Sequence, residues 1–267
     1  MKKVIILNKK EGETPLEALE FFRKKNPKYL GFSMTYAGRL DPMASGVLLI
    51  LANEETKNKE KYLALDKEYE FEVLFGFATD THDILGKIVR QSDCAGRDLA
   101  TTYVRQDLAQ KIKKHLKSFI GESVQKYPMY SSKTVKGKPL FTYARAGEEV
   151  EIPDRKIFIK KLKLEKIREI DNKKLFKNIE KRIGKVNGDF RQEEILKIWQ
   201  KTLFQVSSFK VAQGLSLRKE KYYIGSFKVS CSSGTYVRVL ANSLGLLIDI
   251  PALAFSIKRT KIGKYVL

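Results

Sequence analysis

The chain has 267 residues, 43% of them apolar, which is long enough to bury a core and too apolar for a disordered segment. Its 52 Lys+Arg outnumber 31 Asp+Glu, a net +21 that points to a polyanionic partner, nucleic acid first, against the plainer alternative of a solvated basic surface. Cys94, Cys231, His82 and His115 share no metal-ligand spacing, the basic start is too short for a secretory core, and no apolar run approaches a membrane span; free thiols, no metal, no membrane and a cytoplasmic location are therefore expected.

Val4 to Leu7 reads as a short buried strand. Thr14-Pro15-Leu16-Glu17 is a capping box with proline at the first helical position, opening a helix to about Lys24 with Leu16, Leu19 and Phe22 on one face. Gly31 to Gly46 is loop-like, and Val47 to Ala52 is a continuous apolar run that suits a central strand. From Lys67 to Phe77 the chain alternates: Tyr69, Phe71, Val73, Phe75 and Phe77 share one face, while Glu68, Glu70 and Glu72 share the other, the pattern of a half-buried antiparallel strand.

Leu108, Ile112, Leu116 and Phe119 recur at helical spacing between Val104 and Ile120. Residues 128–155 hold few large aliphatics and many Lys, Gly, Tyr and Pro, which predicts a functional loop or hairpin excursion. Ile157 to Ile170 is strand-like. Between 171 and 205 two apolar stripes, Leu175/Phe176/Ile179/Ile183 and Ile195/Leu196/Trp199/Leu203, predict a helical insertion, with Asp189 and Gln192 capping its second helix. The insertion reads either as a brace over a sheet edge or as an RNA-binding arm. Phe227, Val229 and Cys231 mark a strand, Val237, Leu240, Ala241 and Leu244 a helix, and Ser256 to Val266 a last strand. Strands and helices mix without βαβ alternation, so the fold class is α+β: a mixed, mainly antiparallel sheet flanked by helices, in a single domain over 1–267.

The segment Tyr36-Ala37-Gly38-Arg39-Leu40-Asp41-Pro42-Met43-Ala44-Ser45-Gly46 places a carboxylate on a loop between glycines, with Pro42 fixing the chain after it. Local chemistry leaves two readings open, a nucleophile or base and an ordinary Asp-Pro turn. Gly38 to Leu48 resembles the catalytic motif of TruB-type pseudouridine synthases. Further segments resemble that family in order: Asp66-Lys67-Glu68-Tyr69; Gly76-Phe77-Ala78-Thr79-Asp80-Thr81-His82-Asp83 with Gly86; Tyr127 to Lys133 and Gly137 to Gly147; Ser233-Gly234-Thr235-Tyr236-Val237-Arg238; and Ile257-Lys258-Arg259-Thr260.

The resemblance implies the pseudouridine synthase fold and cofactor-free isomerisation of a T-loop uridine in tRNA. It implies that Asp41 is the catalytic carboxylate, as nucleophile or as base, that Tyr69 stacks on the flipped base and helps remove the C5 proton, and that Arg238 holds Asp41 ionised. Read from the pattern alone, Tyr69 also suits a core strand and Arg238 a solvated helix face. Residues 128–155 would be the thumb that grips RNA, with Lys133, Lys136, Lys138, Tyr143 and Arg145 as contacts; Tyr36, Arg39, Lys258 and Arg259 join them, and Asp80 is either a site-supporting carboxylate or an Asx turn.

The sequence departs from the family pattern at Tyr36, where a His is usual, at Arg39, where a small residue is usual, and at Asn8-Lys9-Lys10-Glu11-Gly12. The 171–205 insertion is extra to the common core, and no PUA domain is expected within the chain. A monomer binding the tRNA T-arm is expected; the competing readings are a ribosomal-RNA pseudouridine synthase, favoured by Arg39, and a tRNA-binding folding chaperone.

Overall fold

The computed structural model describes residues 3–91, 105–204 and 221–267. Cys94, the start of the helix expected from Val104, and Gln205 lie outside them.

In chain order the strands are β1 (Val4–Lys9), β2 (Met34–Ala37), β3 (Ala44–Ala52), β4 (Lys67–Phe75), β5 (Phe77–Thr79), β6 (Ile88–Gln91), β7 (Gly121–Lys126), β8 (Thr134–Val135), β9 (Lys138–Pro139), β10 (Asp154–Asp171), β11 (Lys221–Cys231), β12 (Ala252–Ile262) and β13 (Tyr265–Val266). The α-helices are α1 (Pro15–Lys25), α2 (Lys59–Leu63), α3 (Arg105–Leu116), α4 (Leu140–Ala146), α5 (Asn172–Ile183), α6 (Gln192–Phe204) and α7 (Val237–Leu247). Among the described residues the main sheet runs β1-β3-β12-β4-β11-β10-β7, with β2 on β3 and β13 on β12. Its β3–β12 pairing is parallel and its other pairings are antiparallel, so the expected mixed, mainly antiparallel α+β sheet is present.

The periodic segments fold as their patterns dictate. Phe71, Val73 and Phe75 of β4 are buried on one face, and Glu70 on the other is exposed. Gly76, at φ 109°, ends β4 and starts β5, so Phe77 belongs to a separate two-stranded sheet with β6. Leu108, Ile112 and Leu116 form the buried stripe of α3. The capping box of α1 is closed from both sides: Glu17 N–H donates to Thr14 Oγ1, and Thr14 N–H donates to Glu17 Oε2. Its buried face is Pro15, Ala18 and Leu19, whereas Leu16 is exposed at the mouth of the cleft described below.

The two apolar stripes of the insertion form α5 and α6, burying Leu175, Ile179 and Ile183 against Ile195, Trp199 and Leu203. Trp199 packs edge-on against Phe77 at 5.2 Å, which docks the pair on the body. The expected cap of α6 is not formed. Asp189 Oδ1 accepts from Arg191 N–H and Gln192 Oε1 from Phe190 N–H, so both side chains close the preceding turn, and α6 starts after Arg191, whose φ is 63°. Residues 128–155 contain the β8–β9 hairpin, turned through Lys136 and Gly137 at positive φ, followed by α4.

Candidate active site

The loop after β2 is held from three directions. Arg259 on β12 is 1% exposed and donates through Nε to Val47 O (2.8 Å), through Nη2 to Gly38 O (2.8 Å) and through Nη1 to Arg39 O (3.5 Å). Lys9 at the end of β1 is wholly buried and donates to Glu13 O (2.5 Å), Lys10 O (2.8 Å) and Pro42 O (3.4 Å). Gly12 N–H donates to Pro42 O at 2.9 Å. A buried cation surrounded by carbonyl dipoles keeps enough hydrogen bonds to remain inside, yet burial still pulls Lys9 down to about 8. Leu40 and Met43 insert into the core on either side, which leaves the Asp41 carboxylate 33% exposed and facing a cleft of about 940 Å³.

Arg238, in the first turn of α7, closes the floor of this cleft. Its Nε donates to Asp41 Oδ2 at 2.8 Å and its Nη2 approaches Asp41 Oδ1 at 3.5 Å. Two further donations go to Thr81 O (2.8 Å) and Tyr130 O (2.7 Å), so four of the five guanidinium N–H groups are engaged in a side chain that is 3% exposed. Burial opposes the charge, but Asp41 and Asp83 overcome it and raise Arg238 above its ordinary value. The fork-like pairing fixes the carboxylate's direction.

Tyr69 lies in β4 opposite Arg259 and lines the same cleft. The core-strand and pocket readings meet in it, because it is 8% exposed and borders the cavity. Burial pushes its phenol up, while the neighbouring Arg259 pulls the other way. Asp83 is buried close by: its Oδ1 accepts from Thr81 Oγ1 (2.7 Å) and Leu85 N–H (2.9 Å), and burial pushes it up to about 6.

The expected RNA contacts separate into two groups. Tyr36 and Arg39 sit together at the cleft, with Arg39 Nη2 donating to Tyr36 Oη at 3.1 Å and Nη1 donating to Ser132 Oγ of the thumb. Lys133, Lys136, Lys138 and Arg145 are exposed on the 128–155 excursion. Four others are placed differently. Tyr143 is buried inside the excursion, donating to Val135 O at 3.1 Å. Lys258 pairs in register with Glu70 and points to the sheet face away from the cleft, one residue out of phase with Arg259. Arg259 is internal and holds the loop rather than a phosphate. Asp80 accepts from Lys87 N–H (2.8 Å) and from Arg191 Nη1 (2.7 Å), so both of its carboxylate oxygens are engaged within the protein.

Sequence reasoning missed Lys9, Asp83 and Arg191, all at or beside the cleft. Asp83 stood within the Thr79–Asp83 motif and could have been chosen. Arg191 carries no sequence signal.

The family model described as TruB family pseudouridylate synthase (N terminal domain) matches residues 28–184, which include the Asp41 loop, Tyr69 and the thumb. The chain belongs to this TruB family. A curated tRNA pseudouridine synthase B of Caldanaerobacter subterraneus is 40% identical over 162 residues, 60% of this chain and 52% of that protein. The protein of the same name from Bacillus cytotoxicus is 31% identical over 266 residues, 99% of this chain and 67% of that protein. The chain thus matches from about half to about two thirds of the length of these TruB relatives. Among solved structures, one titled as a crystal structure of a Cbf5-Nop10-Gar1 complex aligns with 98% of this chain and 49% of that one, at TM-score 0.53 and 18% identity, a likeness of fold.

Proposed function

We propose that this chain isomerises uridine to pseudouridine in the T-loop of tRNA. The observation that carries the reading is the Asp41–Arg238 pair at the floor of a cleft, in a chain of the TruB family. The relatives named tRNA pseudouridine synthase B support tRNA as the substrate class, and the +21 charge suits a polyanion.

A base stacked inside a folded RNA loop must be flipped into the cleft, at a cost of a few kcal/mol that phosphate contacts by Lys and Arg offset. The N1–C1′ bond of uridine then breaks, the detached uracil rotates, and a C5–C1′ bond forms. Asp41 assists either by attacking C1′, to be displaced when C5 attacks in turn, or by removing the C2′ proton to give a glycal and returning it as the C5–C1′ bond forms. The proton leaving C5 passes by way of Tyr69, and N1 ends protonated. Atoms and oxidation state balance within the nucleoside, so the proposed route calls for no redox partner or group donor.

Tritium release from tRNA carrying C5-labelled uridine tests the reading, with the modified position mapped by sequencing. Wild-type protein is expected to release label from the T-loop uridine, and Asp41→Asn, which keeps the shape and loses the charge, is expected to release none beyond background. Release from ribosomal RNA and not from tRNA would replace the substrate half of the proposal; turnover by the Asn variant would remove Asp41 from its role.

A further inference from the structure

The insertion between β10 and β11 does more than cover the body. Its inter-helix turn reaches the cleft, where Phe190 and Arg191 line the wall. Arg191 Nη1 donates to Asp80 Oδ2 at 2.7 Å, and its guanidinium carbon lies 4.4 Å from the centroid of the Tyr130 ring. Tyr130 in turn offers its carbonyl to Arg238 Nη2 at 2.7 Å, and Arg238 Nε holds Asp41 at 2.8 Å. A second tie joins the same turn to the thumb: Arg145 Nη2 donates to Asp189 O at 2.6 Å. Arg191 adopts φ 63°, a left-handed conformation uncommon for a residue other than glycine, and the Asp189 and Gln192 side chains hold that turn closed.

We propose that Arg191 is a positioning residue for the Asp41–Arg238 pair, acting through Tyr130 and Asp80. A direct phosphate contact is the competing role, and the geometry weighs against it. The Arg191 side chain is 19% exposed, its charge is met by Asp80 in the RNA-free protein, and its planar face is used on Tyr130. Arginine suits this duty, since one planar group bonds a carboxylate at its edge and stacks on a ring with its face. The segment 128–133 is otherwise tied at Ser131, Ser132 and Lys133, by Phe141 N–H (3.1 Å), Arg39 and Leu140 N–H (2.8 Å), and Arg191 adds the contact at Tyr130 itself. Because the Tyr130 carbonyl takes one of the four donations of Arg238, a shift there turns the guanidinium and with it the carboxylate. The insertion is thereby a part of the active site that reacts with nothing. This inference rests on the reading of Asp41 and Arg238 as the catalytic pair.

The test compares full-length wild type, Arg191→Ala and Arg191→Lys. Single-turnover pseudouridine formation is measured at saturating tRNA, with RNA dissociation constants and thermal midpoints measured alongside. Arg191→Ala is expected to slow the single-turnover step by roughly tenfold to a hundredfold, the scale of an ångström-size misplacement, while RNA affinity stays within about threefold. Arg191→Lys keeps a cation for Asp80, loses the planar stack, and should recover part of the rate. An unchanged rate in Arg191→Ala would overturn the proposal. A loss confined to affinity would overturn it in favour of a phosphate contact. If wild type forms no pseudouridine on any RNA, the reading of the activity fails first. Amide hydrogen exchange across 128–133 in the RNA-free proteins then decides the positioning: faster exchange in Arg191→Ala supports it, and identical exchange overturns it.

Discussion

Gly46 and Arg259 touch backbone to backbone: a Cβ placed on Gly46 would stand 2.1 Å from the Arg259 carbonyl oxygen, and Gly46 itself adopts φ 106°. The contact lies within the parallel register that joins β3 to β12, and the Arg259 side chain extends from it to hold the Asp41 loop. Gly46→Ala therefore sets a side chain against the backbone of β12, at a φ that L side chains rarely adopt. Its expected cost is at least about 3 kcal/mol, in the range reserved for core clashes and strained backbone. Urea unfolding reads it out, with Gly31→Ala as control, since nothing lies within 4 Å of a Cβ there. Equal midpoints for the two variants would mean that the strands slide apart at little cost.

Asp83 gives a pH-dependent prediction. Burial is the largest influence on its carboxyl; Arg238 opposes it, and the net result is a value pushed up to about 6 in the folded protein. In the unfolded chain it ionises near pH 4. The folded state holds the proton more tightly, so this stability is complete below about pH 4 and lost as pH rises through 6. Asn at this position keeps an oxygen for Thr81 Oγ1 and Leu85 N–H and has no proton to lose. Asp83→Asn is expected to be more stable than wild type at pH 7.5, by on the order of 1–3 kcal/mol, with the gain vanishing near pH 4. Chemical unfolding at both pH values checks this. A variant less stable at pH 7.5 would show that the Arg238 attraction outweighs the burial of the charge.

Tyr69→Phe separates packing from chemistry. The ring is 8% exposed and the phenol hydroxyl is its single polar group, so folding stability should change by no more than about 1 kcal/mol. The single-turnover rate should fall on the order of a hundredfold if the hydroxyl carries the C5 proton, and a deuterium effect at C5 should grow. Wild-type kinetics in the Phe variant would leave Tyr69 as a wall of the pocket.

Lys133, Lys136 and Lys138 project from a short hairpin and are exposed. Each phosphate contact contributes roughly −0.7 to −0.9 to the slope of log K against log salt. Replacing all three with Ala should flatten the slope for tRNA binding by up to roughly 2.1–2.7, with catalysis at saturating RNA little changed. A slope identical to wild type would take the hairpin out of the interface.

What was legible in the sequence was whatever repeats locally. The alternation around Tyr69, Phe71 and Val73 and the stripe Leu108/Ile112/Leu116 needed only their own neighbours to fix a face. Asp41 was visible because motif and loop chemistry coincide there. The misplacements have non-local causes. Lys258 and Arg259 look alike in sequence, and only strand phase decides that one meets solvent and the other the Gly38 carbonyl. Asp189 followed by Gln192 reads as a helix cap, but the helix start is set by Arg191 reaching over to Asp80. Lys9 is buried because the carbonyl of Pro42, 33 residues away, comes to meet it among nearer carbonyls.

The strand order carries a consequence for how the protein is made. β12, residues 252–262, lies between β3 and β4, which precede it by nearly the whole chain. Until β12 leaves the ribosome, β3 and β4 lack the strand that joins them, and the Asp41 loop lacks the Arg259 donations to Gly38 O and Arg39 O. The nascent chain can build its hairpins early but has no working site, and its most apolar strand, Ala44–Ala52, paired by β2 only from Leu49 on, waits with the edge at Ala44 to Gly46 open. Activity and protection from aggregation thus arrive together, in the last residues synthesised before Ile262.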